Sequence, residues 1–370
     1  MMTKVNSNIF DIMEEWAPSS LSYEWDNPGL QIGSYHNPVK KIMITLDVLE
    51  SVVDEAIENN VSLIIAHHPL LFKPIKKINV DIPQGRVIHK LMQHNISVYA
   101  SHTNLDIAAG GVNDMLCDAL QLKSREVLAE TSGQKLYKIV VYVPTSHINE
   151  VREAFHTGGA GYIGNYSHCT FQAAGKGSFK PLEGTNPYIG NQNEVEKVDE
   201  FKIESIVQEE KLSQVIRAII DAHPYEEPAY DIFPLENKGT SLGLGRIGAL
   251  DHAVTLGAFC RHVKAAFGIS DLRVSGDLTK EVKWVAILGG SGEKYIDTAK
   301  EKGADVYITG DMSFHAAQEA WQCGLSVIDP GHYIETIMKK GAKDYLDDKL
   351  TNDNIEVIVS QVNTEPFQFM

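Results

Sequence analysis

Two adjacent histidines after a short apolar segment are the first candidates for chemistry in this chain. His67 and His68 follow the apolar residues 63–66 directly, and Pro69 comes next. A short apolar run that a proline closes is typical of a buried strand. Open α/β sheets bind their ligands outside the carboxyl ends of the strands. The two imidazoles therefore stand where a site is expected, and two ordinary loop histidines are the alternative.

Further polar side chains follow other predicted strands. Asp106 comes after the predicted strand 96–100, and His332 and Glu335 come after the predicted strand 325–329. His332 and Glu335 are three residues apart at a predicted helix start, so they share one face of that helix. Together, the three imidazoles and two carboxylates form a nitrogen and oxygen ligand set. Such a set suits zinc, manganese, iron or cobalt.

The number of these side chains indicates more than one metal ion. Five candidate ligands exceed what one tetrahedral ion needs. Neighbours in an extended segment, such as His67 and His68, point to opposite sides, so they suit two ions better than one. Two ions roughly 3.5–4 Å apart satisfy both points, and Asp106 is the predicted bridge because it carries two oxygens on a separate loop. We therefore predict two divalent metal ions per chain, with zinc as the first candidate.

Several other residues keep more than one role open. His102, His315 and Asp311 also follow predicted strands, and each could be a ligand, a general base, a partner of a ligand or an ordinary loop residue. We take His102 as the candidate catalytic residue, and either it or a nearby carboxylate would move protons. The turn at 289–292 resembles a phosphate-binding turn but lacks the Lys-Ser/Thr of a P-loop. The segment 223–228 either approaches the metal site or simply ends a helix.

The order of predicted elements indicates an α/β protein with an insertion. Strands and helices alternate at both ends of the chain, which predicts a mostly parallel sheet. The middle shows the order β-α-β-β-α-β of a ferredoxin-like α+β domain. We predict that residues 1–129 and 238–370 are two halves of one metal-site domain, and that residues 130–237 are inserted between them. Three consecutive domains are the alternative.

Composition limits the classes of partner. The 370 residues carry 33 Lys+Arg and 49 Asp+Glu, a net charge of -16, which disfavours non-specific binding to nucleic acid or anionic membranes. The four cysteines are scattered, as is typical of a reducing compartment. We find neither a signal peptide nor an apolar run long enough to span a bilayer. The sequence therefore predicts a cytoplasmic protein.

Four motifs of the chain resemble the Nif-three-like family, whose bacterial members are labelled GTP cyclohydrolase I type 2 homologues. The match covers both ends of the chain, and the middle is similar to the insert of the longer members, which resembles the PII/CutA trimeric signalling fold. The motifs are AHHPL at 66–70, SHTNLD at 101–106 with GGVND at 110–114, ITGD at 308–311, and DPGH at 329–332.

This resemblance implies a fold, an assembly and a ligand set. The fold is a three-layer α/β domain with a dinuclear metal centre, and the assembly is a toroidal homohexamer whose sites face an inner cavity. Position by position, the implied ligands are His67, His68, Asp106, His332 and Glu335. Some shorter members place the last glutamate four residues after the histidine, whereas here the spacing is three; both spacings lie on one helical face.

Two functions are compatible with these features. The first is a metal-dependent hydrolase of a small nucleotide-like substrate, GTP cyclohydrolase I type 2-like by resemblance, in which the ions lower the pKa of a bound water. The second is a non-enzymatic metal-containing binding or regulatory scaffold with a ligand-sensing PII-like insert. Structural zinc sites are usually closed sites with four ligands, and the present set looks open, which favours the hydrolase.

Overall fold

A computed structural model describes residues 4–133, 135–237, 239, 241–368 and 370. The chain divides into two compact units, one formed by 1–132 with 242–370 and the other by 133–241. Residues 1 and 238, at which two of the predicted domains begin, lie outside the described residues. That the middle segment is a separate inserted domain with limits at 130 and 237 stays a prediction.

The strands of the described residues are, in chain order, β1 Gly29–Ile32, β2 Lys41–Thr45, β3 Leu63–Ala66, β4 Ser97–Ala100, β5 Lys123–Gly133, β6 Leu136–Pro144, β7 Thr170–Phe179, β8 Glu196–Gln208, β9 Tyr230–Leu235, β10 Ser241–Thr255, β11 Arg273–Ser275, β12 Glu281–Ser291, β13 Val306–Gly310, β14 Ser326–Asp329 and β15 Glu356–Val359. All residues of β3 and β4 are buried, as is usual for strands covered on both faces.

The α-helices of the same residues are α1 Asn6–Trp16, α2 Glu50–Glu58, α3 Pro83–Gln93, α4 Thr103–Ile107, α5 Val112–Ala119, α6 Ile148–Thr157, α7 Glu209–Ala222, α8 Leu256–Phe267, α9 Ile296–Glu301, α10 Phe314–Gln322 and α11 Ile337–Lys349. Short 3-10 helices lie at Ser19–Leu21, Thr145–His147, Glu293–Tyr295 and His332–Thr336. Within the described part of the chain, none of the helices combines the length and apolar character needed to cross a bilayer.

The first unit contains two mixed sheets. One has the strand order β1-β4-β3-β2-β15, in which all pairs except β1 with β4 are parallel. The other has the order β11-β14-β13-β12-β10-β5, with a parallel centre of β12, β13 and β14 and antiparallel neighbours β11 and β10. The predicted mostly parallel α/β fold is confirmed, although its strands are divided between two separate sheets.

Helices pack on both faces of each sheet, so each sheet is the middle one of three layers. The largest apolar core combines strand residues such as Ile44 and Ile308 with Met13 of α1, Leu116 of α5 and Leu346 of α11. On the outer faces, α2 and α3 pack against the first sheet, and α9 and α10 against the second. The alternation of buried side chains to the two faces of each strand produces this arrangement.

The second unit has the predicted ferredoxin-like order β6-α6-β7-β8-α7-β9. Its sheet has the order β7-β8-β6-β9, and all neighbouring strands are antiparallel. Helices α6 and α7 pack on one face, where Phe155 and Ile219 meet Ile139 and Ile203 of the strands. The other face carries charged residues such as Lys202, which neighbours the buried Ile203 in β8 and therefore points away from the helices.

Candidate metal centre

Parallel pairing brings candidate ligands to one edge of the first sheet. Ala66 and Ala100, the last residues of β3 and β4, are partners in register. His67 and His68 follow β3, and Asp106 lies in α4 after β4. The segments that leave these neighbouring strands therefore start side by side, which places the three side chains close together.

The second sheet contributes His332 and Glu335. Both lie in the 3-10 helix His332–Thr336 that follows β14, so one short turn presents them together. Gly331 precedes this turn with a φ of 87°, in the left-handed region that favours glycine. Glu335 is buried, with 3% of its surface exposed. Its carboxylate therefore depends on neighbouring protein groups in place of water.

The imidazole of His67 is fully buried, and its two nitrogens have different surroundings. Nδ1 lies 2.9 Å from the carbonyl oxygen of Ser101, so it carries a hydrogen and donates it. In the neutral ring Nε2 is then an acceptor, and it lies 3.6 Å from Asp106 Oδ1 and 3.8 Å from Glu335 Oε2. Among the described residues, His67 Nε2 and Asp106 Oδ1 are buried without a hydrogen-bond partner.

Buried acceptors that face one another fit a cation. Leaving such groups without a partner costs roughly 1–3 kcal/mol each. A divalent ion bound by His67, Asp106 and Glu335 would remove this cost, and their ligand atoms all lie within 4.8 Å of one another. Nitrogen and carboxylate ligands of this kind suit zinc and its neighbours in the first transition row.

A second group of ligand atoms shares Glu335. The Nε2 atoms of His68 and His332 each lie 3.1 Å from Glu335 Oε2. Their Nδ1 atoms lie 2.7 Å from Asp47 Oδ1 and 2.7 Å from Asp311 Oδ2, respectively. Glu335 is thus the carboxylate common to two groups, a position that the sequence analysis gave to Asp106.

The carboxylates behind the histidines fix the direction of the rings. Metal-binding imidazoles usually donate their other N–H to a carboxylate or carbonyl, which sets the tautomer and the orientation. Asp47 also accepts a hydrogen bond of 2.6 Å from the Thr364 hydroxyl, near the end of the chain. Asp311 was among the predicted partners, whereas Asp47 and Thr364 were missed. Only the position of Asp47 just after β2 could have indicated its role.

His102 joins the cluster through a separate contact. Its ligand atom lies within 4.8 Å of those of His67 and His68, and its Nδ1 lies 2.7 Å from Asp26 Oδ1. Burial opposes ionisation of Asp26, but hydrogen bonds from His102 and Thr103 outweigh it and lower the pKa of Asp26 to about 2. Asp26 therefore stays anionic and keeps a hydrogen on Nδ1 of His102. The role of His102 as a catalytic residue stays a prediction.

In the metal-free protein, protons and carboxylates of the cluster compensate one another. Burial raises the pKa of Asp106 to about 7. It also opposes ionisation of Glu335, but hydrogen bonds from the imidazoles, that of His332 first, lower the pKa of Glu335 well below 4.5. Burial disfavours a charged His68, but Asp47 and Glu335 outweigh it and raise its pKa to about 10. The hydrogen bond to Glu335 raises the pKa of His332 to about 9.

Two of the other candidates lie outside these groups of ligand atoms. His315 lies in α10 beside the ring of Phe314 and belongs to none of the three groups. In the second unit, His223 forms the end of α7 and bonds through Nε2 to the Tyr142 carbonyl at 2.9 Å. The segment 223–228 therefore ends a helix, one of its two predicted roles.

The Gly-rich turn at 289–292 lies against the candidate ligands. A Cβ added to Gly290, whose φ is 67°, would lie 2.7 Å from Glu335 Oε1 and 3.3 Å from His332 Nε2. A phosphate at this turn would meet the buried carboxylate, so the contact argues against phosphate binding here. The glycine instead leaves space for the Glu335 side chain.

Comparison with known proteins identifies the family. The model of the DUF34/NIF3 family (NGG1p interacting factor 3) matches residues 4–366. The chain belongs to the DUF34/NIF3 family. The resemblance that the four sequence motifs indicated is thereby confirmed, over both ends of the chain and its middle.

Long-chain relatives support the NIF3 assignment along the whole sequence. A Halalkalibacterium halodurans protein named GTP cyclohydrolase 1 type 2 homolog is 50% identical over 98% of both chains. A Bacillus subtilis protein of the same name is 49% identical over 100% of both. The crystal structure of a Bacillus cereus protein related to NIF3 is similar with a TM-score of 0.96 at 47% identity, covering 100% of both chains.

We predict that Gly290→Ala weakens metal binding by this NIF3 family protein, because the new methyl group displaces the Glu335 carboxylate. Elemental analysis after dialysis should find less than half of the metal held by the unchanged protein. Gly303→Ala is the matched control, since Gly303 has a φ of 81° but nothing within 4 Å of the added Cβ. Equal metal content in both variants would contradict the prediction.

The metal-free protein should lose stability as the pH rises from 7 to 10. Folding raises the pKa of His68 and His332 above the ordinary 6.5, to about 10 and about 9. Their contribution is therefore complete below pH 6.5 and is lost as the pH rises through these values. The melting temperature, followed by circular dichroism, should fall over this range.

Two controls isolate these imidazoles. His68→Gln should flatten the decline, whereas the exposed His94→Gln should leave it unchanged. Zinc-loaded protein should show a flatter profile, because bound imidazoles are neutral and no longer titrate in this range. An equal decline in His68→Gln and in the unchanged protein would refute the assignment.

Proposed function

We propose that this chain is a dinuclear metal-dependent hydrolase acting on a small nucleotide-like substrate. The observation that carries the proposal is the pair of buried acceptors, His67 Nε2 and Asp106 Oδ1, that face each other without a hydrogen-bond partner among the described residues. The name of the relatives, GTP cyclohydrolase 1 type 2 homolog, supports a nucleotide-like substrate.

The ligand groups suggest how two ions are held. His67, Asp106 and Glu335 would bind one ion, and His68, His332 and Glu335 the other. Zinc fits this set best, and manganese, iron and cobalt are the other candidates. Divalent ions in such a pair supply Lewis acidity and lower the pKa of water towards 7.

His102 is suited to move a proton in the reaction. Asp26 holds its Nδ1–H at 2.7 Å, so Nε2 is the nitrogen of the neutral ring that is left to accept a proton. A general base needs this combination of a free acceptor and a fixed orientation. Its alternative role is that of a further ligand, because its ligand atom belongs to one of the three groups.

A cavity beside His68 and His332 supports access for a substrate. Its volume is about 910 Å³, and Tyr333, Thr364 and Phe367 form part of its lining. Ligand sites usually measure roughly 300–1,000 Å³, so a nucleotide fits. The exposed ring of Phe367 and the half-buried imidazoles of His68 and His332 give the cavity an apolar wall and a polar end.

We propose further that the chain acts in the cytoplasm as a homohexamer. All four cysteines are free, which agrees with a reducing compartment. Light scattering on a size-exclusion column should give six times the chain mass of 40.9 kDa. A mass of one chain at working concentration would refute the hexamer and leave the metal site to be tested separately.

A non-enzymatic regulatory scaffold is the second candidate. A cavity of about 740 Å³ in the second unit favours it, because Glu200 and the rings of Phe179, Tyr188 and Tyr225 line a space large enough for a small molecule. In this function the metal ions are structural or sensory, and the insert senses a ligand.

Elemental analysis of the purified protein, with turnover assays on a nucleotide panel that begins with GTP, tests the hydrolase. We expect about two transition-metal ions per chain, no turnover after chelation, and recovery with zinc or manganese. His68→Ala and Asp106→Asn should lose metal and activity, whereas the exposed His94→Ala should retain both. Turnover by metal-free protein would refute the proposal, and two bound ions without turnover would favour the scaffold.

Asp47→Asn examines the partners of the ligands in the same assay. The Asn side chain keeps the shape but loses the charge behind His68, which should lower the metal affinity about 10–100-fold. Unchanged affinity would mean that Asp47 does not orient the ring for a metal.

A further inference from the structure

Two exposed aromatic rings stand beside His102. Trp25 and Phe72 are 54% and 44% exposed, and their ring centroids lie 6.0 Å apart at an angle of 68°. The His102 ring lies 6.4 Å from Trp25 and 6.2 Å from Phe72, approached edge-on in both cases. Large apolar side chains that stay exposed next to a polar site often mark a binding surface.

One face of the Trp25 ring packs against another aromatic ring. Tyr23 stacks on it with ring centroids 5.4 Å apart and an interplanar angle of 10°. The Tyr23 hydroxyl lies 3.2 Å from that of Tyr295, which ties this stack to a 3-10 helix after β12. The indole therefore presents one supported surface instead of moving freely in solvent.

The loops that carry the two rings are bonded to each other. Asn27 Nδ2 donates to the Leu71 carbonyl at 2.7 Å, and the Leu71 amide donates to Gln31 Oε1 at 3.1 Å. Trp25 lies two residues before Asn27, and Phe72 directly follows Leu71. These bonds fix the spacing of the rings before any ligand arrives, which lowers the entropy lost on binding.

The segment of the chain after Phe72 is basic. Lys73, Lys76 and Lys77 follow Phe72 in an exposed loop, in a chain whose net charge is -16. Within the described residues, no ion pair involves them. Exposed ammonium groups in the loop that follows an exposed aromatic ring suit an anionic ligand that also carries a flat ring.

We propose that Trp25 and Phe72 form a subsite for the heteroaromatic ring of a nucleoside phosphate, whose phosphate contacts the lysine loop 73–77. His102, in contact with both rings, then faces the edge of the bound ring. The proposal rests on the proposed function for its catalytic meaning, but ring binding can be measured without turnover. The two rings would thus bind the base of the substrate, a part that the candidate metal ligands do not determine.

The test is binding of guanosine 5′-monophosphate to the zinc-loaded full chain, followed by isothermal titration and by tryptophan fluorescence. Trp25→Ala should raise the Kd about 5- to 150-fold, the effect of losing one stacked ring. Phe72→Leu should also weaken binding, and Trp25→Phe should restore most of the affinity without the fluorescence change. Trp321→Ala, another exposed tryptophan at 57%, should bind as the unchanged protein does.

Two partial ligands separate the ring from the phosphate. The affinity for guanosine should fall in Trp25→Ala and stay unchanged in Lys73→Ala/Lys76→Ala/Lys77→Ala. The affinity for ribose 5-phosphate should show the opposite pattern. Equal affinity of Trp25→Ala and the unchanged protein for guanosine 5′-monophosphate would overturn the ring subsite. Insensitivity of the nucleotide to the triple lysine variant would overturn the phosphate contact.

Metal content and turnover, measured on the same samples, keep this proposal apart from the proposed function. Trp25→Ala should retain its metal ions, since Trp25 belongs to no ligand group. Trp25-dependent nucleotide binding without turnover would support the subsite and refute the hydrolase. Turnover of substrates that lack a ring, with no effect of Trp25→Ala, would support the hydrolase and overturn the subsite.

Discussion

The buried carboxylate of Glu335 is the constraint around which the site is organised. A charged side chain with 3% exposure is stable only where partners compensate for its lost hydration. Its Oε2 atom meets the imidazoles of His68 and His332, which come from different sheets. Glu335 can therefore stay buried only where the edges of the two sheets bring both imidazoles to its carboxylate. Gly290 leaves the space that the Glu335 side chain needs.

Orientation of the imidazoles follows from a second set of oxygens. Each of the four histidines in the cluster places Nδ1 against an acceptor, from Ser101, Asp47, Asp26 and Asp311 in the order of the chain positions of the rings. The Nε2 atoms thereby point into the cluster, where each can hold either a proton or a metal ion. Protons and a metal ion would compete for these atoms, so metal binding would link pH to stability.

Strand-end position predicted much of the site, because parallel strands deliver the residues after them to one edge. That rule brought forward His67, His68, Asp106 and His332 from sequence alone. It did not show that the strands belong to two sheets, since periodicity identifies an element and not its neighbours. Asp26 and Thr364 were missed for a related reason: their roles depend on loops whose course only tertiary packing determines.

The hydrogen bond between Thr364 and Asp47 has a consequence for biosynthesis. Asp47 lies beside His68, yet its partner Thr364 is translated 317 residues later. The candidate ligands His332 and Glu335 also follow the whole middle segment. Until residues 332–335 have been translated and folded, only His67, His68 and Asp106 of the five candidate ligands are available, so both candidate ligand groups are complete only after the two ends of this unit have folded together.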